Sequence, residues 1–314
     1  MVTENPFESD TIAVSKKKWT QTLIQEAIKM AKRIGASAVL FYMDSTKDIE
    51  PFLDLKTDVK LILLTKRQEC IDKAARLPVN PVRIPDVRLS RLGYLKMGFL
   101  SAISKGLLNE KDIIICVGGV PEQGYMDTLI IVIPELEAEL FIGGNTLSFP
   151  ENFRPDVFDT LMRLAMELAN EGREGKPVGT TFVLGDHENV LRLSHQLVFN
   201  PFEGRPERDL HINDPRVQES IKEFAAIDGA FIIRDDGVVL AAGRYLNVAF
   251  PDLSLPQGLG ARHAAAAAIT NATASVAVVI SESTGRVTVF KEGKILTEIE
   301  RPVPPQRKKG PREP

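Results

Sequence analysis

An alternation of short apolar runs with helical segments in the first half of the chain constrains the fold most. The runs are typical of strands buried on both faces, and they cover residues 38–42, 59–64, 82–84, 113–117 and 129–133. Segments with helical spacing of apolar residues lie between them, at residues 66–77 and 89–108. Because parallel strands need crossover connections of this kind, the alternation predicts a doubly wound, largely parallel α/β domain.

A helix is predicted before the first of these strands. Ser15 is a suitable N-cap for a helix over residues 16–34, whose apolar residues recur at helical spacing, and Gly35 ends it. Residues 1–15 are polar and contain Pro6, so we expect them to form a loosely held leader.

The second half mixes hairpins with helices. Asp214 and Pro215 are a typical start for one of the helices, which are predicted at residues 156–170, 188–193, 215–226 and 261–271. Strands are predicted at residues 180–184, 230–234, 238–242, 276–281, 286–291 and 295–298, with a proline-containing loop over 243–257. This pattern predicts an α/β domain around a mixed sheet.

The chain has 314 residues, which is more than one core usually organises, so we expect two domains. Gly143, Gly144 and two prolines interrupt the pattern between Phe141 and Pro155, where we place the boundary. The expected segments are a leader at 1–15, a first domain at 16–150, a second domain at 151–300 and a disordered tail, rich in proline and basic residues, at 301–314.

Bulk properties disfavour several classes of protein. A net charge of −3 gives no basic field for nucleic acid, and runs such as residues 129–133 are far shorter than the ~20 residues that span a bilayer. Cys70 and Cys116 lie in different predicted elements, so by themselves they form neither a disulfide framework nor a four-ligand zinc site. The histidines do not have the spacing of a zinc hydrolase. Without a recognisable secretory signal, we expect a cytoplasmic protein with reduced thiols and no membrane or nucleic-acid partner.

The richest stretch for chemistry is residues 227–285. Gly258 and Gly260 precede a helix that begins with Ala261, Arg262 and His263. Glycines allow close approach of a ligand, the first turn offers unpaired N–H groups, and a guanidinium binds phosphate oxygens. By itself, a Gly-x-Gly sequence is a weak signal, and an ordinary helix start is the more common explanation.

Two carboxylates stand at strand boundaries in the same stretch. Asp228 precedes a predicted strand, and Glu282 follows another. An Asp-Gly pair is usually a turn, but here it lies at the entrance of a strand and not between two strands. A carboxylate at a strand end can hold a divalent cation that bridges phosphate oxygens.

Polar residues also follow strands of the first half, where parallel sheets place their ligands. These are Asp44-Ser45-Thr46, Thr65-Lys66 and Gly118-Gly119, and we favour caps and turns over a site because no phosphate-loop motif is present. The strand order and the Gly-Gly turn resemble the C-terminal domain of pyruvate kinase, so the first domain is interpreted as regulatory or as an assembly domain.

The order and spacing of these motifs resemble one family. Asp-Gly-Ala at residue 228, Arg-His at residue 262 and Ser-Glu-x-Thr-Gly at residue 281 follow one another as in the diadenylate cyclase (DisA N-terminal, or DAC) domain. The resemblance covers about residues 155–298. With the pyruvate-kinase-like domain in front, the whole chain is similar to the archaeal-type diadenylate cyclases often called DacZ.

The resemblance implies an activity and a set of site residues. The family condenses two ATP molecules into cyclic di-AMP and releases two pyrophosphates, with Mn²⁺ or Mg²⁺ as the cation. The implied catalytic residues are Asp228, Arg262 and His263, and the implied metal ligands are Asp228 and Glu282. The implied nucleotide contacts are Gly229, Ala230, Leu246, Gly260, Ala261, Arg262, His263 and Ser281.

The sequence departs from the common family pattern. Ala261 and Ala264 stand where bacterial members have a threonine and a second arginine, and Ile227 replaces a common histidine. Loss of an arginine removes a charge-assisted phosphate contact worth about 1.5–3 kcal/mol. Arg244 or Arg234 is a candidate to replace it.

The implied chemistry also sets the partners. One ATP does not supply both halves of a symmetric ring, so two sites are expected to face each other in a homodimer or a higher homo-oligomer. Two alternatives stay open at the level of sequence. The same pocket would serve a non-catalytic sensor of adenine nucleotides, or the chain would be a scaffold in which the first domain matters most.

Overall fold

The computed structural model describes residues 6–46, 50–53, 55–109, 111–136, 153–248 and 259–301. Within these ranges the chain forms a five-stranded and a seven-stranded sheet. Most of the expected domain boundary and nearly all of the expected tail lie outside the described residues.

The first sheet has the strand order β3-β2-β1-β4-β5. Its strands are β1 (Ala38–Tyr42), β2 (Lys60–Thr65), β3 (Asn80–Arg83), β4 (Ile114–Gly118) and β5 (Thr128–Val132). All neighbours pair in parallel except β4 and β5, which pair antiparallel. The prediction of a largely parallel α/β unit is therefore confirmed.

Helices cover both faces of this sheet. They are α1 (Pro6–Ile34), α2 (Glu50–Leu53), α3 (Gln68–Ala74) and α4 (Arg91–Ser104). Buried residues of α1 and α3 pack with Val39 and Phe41, whereas α4 packs with Leu40 and Tyr42 on the opposite face. This division follows from the alternation of side chains along β1.

The predicted start of the first helix was wrong. Helix α1 begins at Pro6 and passes through Ser15, which had been expected to cap it. No glycine or proline interrupts residues 7–34, and proline is favoured in the first helical turn. A possible capping residue therefore does not end a helix that can continue past it.

The second sheet has the order β12-β11-β10-β6-β8-β9-β7. Its strands are β6 (Thr180–Leu184), β7 (Ser194–Gln196), β8 (Ala230–Ile233), β9 (Val239–Leu246), β10 (Val276–Ile280), β11 (Val287–Lys291) and β12 (Lys294–Ile299). Only β6 and β8 pair in parallel, so the predicted mixed sheet is confirmed.

The helices of the second half are α5 (Pro155–Glu171), α6 (His187–Arg192), α7 (Pro215–Phe224) and α8 (Ala261–Ala272). Asp214 caps α7 as predicted, since its carboxylate accepts a hydrogen bond from the Arg216 N–H at 2.8 Å. The loop predicted from Gly243 was wrong at its start. Strand β9 continues to Leu246 because β7, a strand missed in the sequence, pairs with this extension.

The two sheets share buried contacts. One apolar cluster continues from Leu40 through Leu100 of α4 and Leu161 of α5 to Val278 of β10. Lys105 of α4 forms an ion pair with Asp159 of α5. Gly98 of α4 lies so close to Leu64 of β2 that a Cβ atom there would overlap that side chain. Helix α4 is thus fixed against the first sheet and against the second half.

None of the helices in the described part of the chain has the length and apolar character needed to cross a bilayer.

Candidate active site

A cavity of about 1240 Å³ opens where β8 and β9, the end of β10 and the start of α8 meet. Every site residue predicted from the sequence lines it, namely Asp228, Gly229, Ala230, Leu246, Gly260, Ala261, Arg262, His263, Ser281 and Glu282. Residues 34 apart in sequence, such as Asp228 and Arg262, come together here. The roles of the individual residues stay predictions.

Arg262 lies between the two predicted carboxylates. Its Nη2 atom is 3.5 Å from Asp228 Oδ1, and its Nη1 atom is 3.4 Å from Glu282 Oε2. The side chains of Asp228 and Glu282 are 89% and 61% exposed, and that of Arg262 is 38% exposed. Long ion pairs between exposed groups are weak, so all three charged groups remain available to a ligand.

Two glycines allow this close assembly. A Cβ atom at Gly179, just before β6, would lie 2.7 Å from Arg262 Nη1 and 2.8 Å from the Glu282 Cβ atom. Gly229 has a φ of +108°, and a Cβ atom there would lie 2.5 Å from the Gly243 carbonyl carbon. The Asp-Gly pair at residue 228 therefore brings two backbone segments together at the entrance of β8.

The first turn of α8 faces the same cavity. Gly260 is the N-cap and provides no side-chain cap, and the first helical N–H bonds are those of His263 and Ala264 to the Gly260 carbonyl. The N–H groups of Ala261 and Arg262 precede these bonds and have no acceptor within the helix. Together with the positive end of the helix dipole, they make this turn suitable for an anion.

His263 forms a buried part of the cavity wall. Its Nε2 atom is 3.4 Å from the Thr288 Oγ1 atom, and its ring meets the Phe290 ring edge-on at 6.0 Å between centroids. Burial lowers the pKa of His263, the charge of Glu298 opposes this, and the charges of Arg286 and Arg262 lower the pKa further. His263 is therefore a neutral imidazole at pH 7, suited to accept or donate one hydrogen bond.

Several lining residues were missed in the sequence analysis, and Arg286 is the most important. Its guanidinium donates to Glu298 Oε2 and to Glu300 Oε1, each at 3.0 Å, and the Glu298 side chain also faces the cavity. Arg286 follows the predicted Ser-Glu-x-Thr-Gly motif directly. Glu298 lies in β12 and Glu300 directly after it, so only the pairing of β11 with β12 identifies the environment of Arg286.

Neither arginine proposed as a replacement at position 264 is free for that role. Arg244 lines the cavity, but its guanidinium donates to the Ser194 Oγ and carbonyl oxygens and to the Leu191 carbonyl oxygen. Arg234 is not among the lining residues and pairs with Asp236 and Glu207. Both side chains hold neighbouring segments in place, and Arg286 lines the same cavity as Arg262.

The donor set fits a divalent cation only in part. No group of three or more His, Cys, Asp or Glu side chains arranged to hold a metal occurs in the described ranges. Asp228 and Glu282 supply two carboxylates on either side of one guanidinium. Mg²⁺ and Mn²⁺ accept such hard oxygen ligands and complete their coordination with water and phosphate oxygens. The pair therefore fits a cation that binds together with a phosphorylated ligand.

The polar residues after the strands of the first sheet hold one another in place. The Asp44 side chain is only 3% exposed and accepts hydrogen bonds from Thr65 Oγ1, the Lys66 N–H and Arg67 Nε at 2.7–2.8 Å. Ser45 Oγ bonds the N–H and carbonyl groups of Gly119 at 2.8 and 3.0 Å. These contacts fix the segments that follow β1, β2 and β4 against one another.

Two family profiles match this chain, one in each half. A family profile described as "DisA bacterial checkpoint controller nucleotide-binding" matches residues 167–295, and one described as "Probable sensor domain DacZ_P" matches residues 20–141. A protein of Methanocaldococcus jannaschii named diadenylate cyclase is 34% identical over 299 residues, which cover 88% of this chain and 96% of the relative. The chain belongs to the diadenylate cyclase family.

A second diadenylate cyclase, from Haloferax volcanii, is 36% identical over 263 residues, covering 83% of this chain and 92% of that relative. Among solved structures, a hypothetical membrane-spanning protein from Bacillus cereus aligns with 45% of this cyclase-family chain and 63% of its own, at 18% identity and a TM-score of 0.35. DacA from Staphylococcus aureus aligns with 47% and 87% of the two chains, at 21% identity and a TM-score of 0.31. The family assignment rests on the sequence relatives.

Proposed function

We propose that this protein is a diadenylate cyclase, which joins two ATP molecules into cyclic di-AMP and releases two pyrophosphates. Membership of the family supports the reaction. The observation that supports its location is the position of Arg262 between two carboxylates at the mouth of a cavity that also receives the first turn of α8. The cavity volume of about 1240 Å³ exceeds that of common ligand pockets, which is roughly 300–1,000 Å³.

The reaction is a pair of equivalent displacements. The 3′-oxygen of each ATP forms a bond to the α-phosphorus of the other, and the bond from that phosphorus to the bridging oxygen of pyrophosphate breaks. The proton of each 3′-hydroxyl passes to water. The product is symmetric, so each of two cavities is expected to hold one ATP and to face the other across a two-fold axis. We therefore propose a homodimer, or a larger assembly built from such dimers, as the active form.

Catalysis of phosphoryl transfer is largely positioning and neutralisation of charge. We assign Arg262 and the first N–H groups of α8 to the phosphates, with Gly229 and Ala230 in backbone contact with the nucleotide and Ser281 beside the phosphates. We assign His263 to a hydrogen bond in which one ring N–H donates to a phosphate oxygen. Leu246, with the half-exposed ring of Tyr245 beside it, is assigned to the adenine.

Asp228 and Glu282 are the residues that would hold a divalent cation. When bound, Mn²⁺ or Mg²⁺ would offset phosphate charge and lower the pKa of an attacking hydroxyl. We also assign the Asp228 carboxylate to accept a hydrogen bond from a ribose hydroxyl, and this contact is its proposed part in activating the 3′-oxygen.

The test is incubation of the full chain with ATP and Mn²⁺ or Mg²⁺, followed by chromatography of the nucleotides. We expect cyclic di-AMP and pyrophosphate from the wild type and at least a hundredfold less from Asp228→Asn, on the order of 3 kcal/mol of lost transition-state stabilisation. Tight ATP binding without any cyclic product would instead identify a nucleotide sensor and refute the proposed activity.

We propose two functional domains, at residues 16–150 and 151–300, with the first as a regulatory unit. Its match to a probable sensor domain supports this assignment. The likeness to pyruvate kinase, the cytoplasmic location and the absence of a nucleic-acid partner stay predictions.

A further inference from the structure

Helix α4 of the first half reaches the strand that borders the active-site cavity. It packs against β12, and Lys96 Nζ donates a hydrogen bond to the Glu298 carbonyl oxygen at 2.8 Å. This half-buried bond joins residues 202 apart in sequence. Lys96 lies in the region that matches the sensor-domain profile, and Glu298 lines the cyclase cavity.

The Glu298 side chain continues this contact into the cavity wall. Its Oε2 atom accepts a hydrogen bond from Arg286 Nη1 at 3.0 Å, and its Oε1 atom is 3.4 Å from Thr288 Oγ1. The Glu298 side chain is only 14% exposed, so little water competes for it. Its position therefore sets the orientation of the Arg286 guanidinium.

Thr288 connects Glu298 with the predicted catalytic histidine. Thr288 is fully buried, and its Oγ1 atom is 3.4 Å from His263 Nε2 as well as from Glu298 Oε1. Both distances are at the long limit for hydrogen bonds. A shift of β12 by a few tenths of an ångström would therefore make or break the contact between Glu298 and Thr288, whose hydroxyl group also faces His263.

We infer that Lys96 is a positioning residue for the cyclase reaction, acting through Glu298 on Arg286 and His263. The inference rests on the proposed diadenylate cyclase activity. It gives the first half a physical means of control, because a movement of α4 displaces the backbone of β12 through the Lys96 hydrogen bond. Regulation would then change the alignment of the site and not its ability to admit ATP.

The first turn of α4, just before Lys96, lies at the edge of the first sheet where the carboxyl ends of its strands meet. Arg91 and Tyr94, in its first turn, line a small crevice with Tyr42 and Gly119 at the carboxyl ends of β1 and β4. The strand order of the sheet reverses direction between β1 and β4, and open α/β sheets bind their ligands at such points. The first half of α4 thus contacts both this edge and β12.

The experiment measures kcat and KM for ATP in the full-length chain. We expect Lys96→Met to lower kcat about tenfold, within the range of common coupling between sites, and to change KM by less than about twofold. Lys96→Arg keeps a donor and should retain most of the activity. Lys73→Met, which removes an exposed lysine from α3, is the matched control and should behave as the wild type.

A double-mutant cycle separates positioning from general destabilisation. If Lys96 acts through the Glu298 carboxylate, Lys96→Met should reduce kcat less than about twofold in a Glu298→Gln background. Wild-type kcat in Lys96→Met, failure of Lys96→Arg to restore it, or equal losses in both backgrounds would overturn the inference. A wild type that forms no cyclic product would refute the proposed function itself.

Discussion

Replacement of Arg262 by glutamine separates stability from function at this site. The variant removes a charge that faces Asp228 at 3.5 Å and Glu282 at 3.4 Å. Because both partners are largely exposed, the ion pairs contribute on the order of 0–1 kcal/mol to the free energy of unfolding. For a protein of this size, such a change moves Tm by no more than about 2–4 °C.

The expected loss of activity is much larger. Hydrogen bonds from a charged group to phosphate are worth about 1.5–3 kcal/mol each. Loss of one such interaction in the transition state lowers kcat/KM by roughly 10- to 150-fold at about 1.4 kcal/mol per factor of ten. We therefore expect Arg262→Gln to be strongly impaired while its unfolding transition stays close to that of the wild type.

The assay combines cyclic di-AMP formation, followed by chromatography, with thermal unfolding of the same samples. Arg205→Gln is the matched control, because Arg205 is exposed and is not among the residues that line the cavity. An Arg262→Gln variant with unchanged kcat/KM would refute the assignment of this guanidinium to the phosphates. A fall of Tm by 10 °C or more would refute the argument that its ion pairs are weak.

Three further predictions test neighbouring residues. Glu282→Gln should raise the Mn²⁺ concentration needed for half-maximal cyclisation about tenfold. If activity instead fell by the same factor at every Mn²⁺ concentration, the role of Glu282 as a metal ligand would be contradicted. The pKa of His263 is lower in the folded chain than its ordinary value of 6.5, so the unfolded chain binds a proton at a higher pH than the folded chain does. Folding stability is therefore lost as the pH falls below about 6.5. The decrease in Tm from pH 7.5 to pH 5.5 should be smaller in His263→Gln than in the wild type. Gly229→Ala should lower Tm much more than Gly175→Ala does. Both glycines have a positive φ, but of the two only Gly229 has backbone atoms within 3 Å of the added Cβ atom. Equal decreases in Tm would exclude the steric explanation.

The elements of the fold were largely predictable because their signals are local. Strands β1 and β6 have the predicted bounds, and the N-cap at Asp214 forms the predicted bond. The start of α1 and the extension of β9 were missed for different reasons. Helix α1 continues through Ser15, a residue that can cap the start of a helix but does not force a helix to start there. Strand β9 is instead prolonged by its pairing with β7.

The candidate site was predictable in its members but not in their surroundings. The motif order around Asp228, Arg262 and Glu282 selects residues that the structure brings to one cavity. The local signals that point to these residues are features of the backbone, namely the start of a helix and glycines where two backbone segments come close together. Arg286 has no such signal, because its partner Glu298 lies on the neighbouring strand and is identified only by the register of β11 and β12.

The sequence by itself determined the α/β character of both halves, the order of most of their elements and the motif residues that meet in one cavity. Hydrophobic periodicity, helix caps and glycine positions act over a few residues, so they can be recognised without a partner. The tertiary structure decided which arginines line the cavity beside Arg262, how burial lowers the pKa of His263, and how Lys96 of the first half contacts β12. Those properties depend on burial and on distances between segments far apart in the chain, which no local pattern specifies.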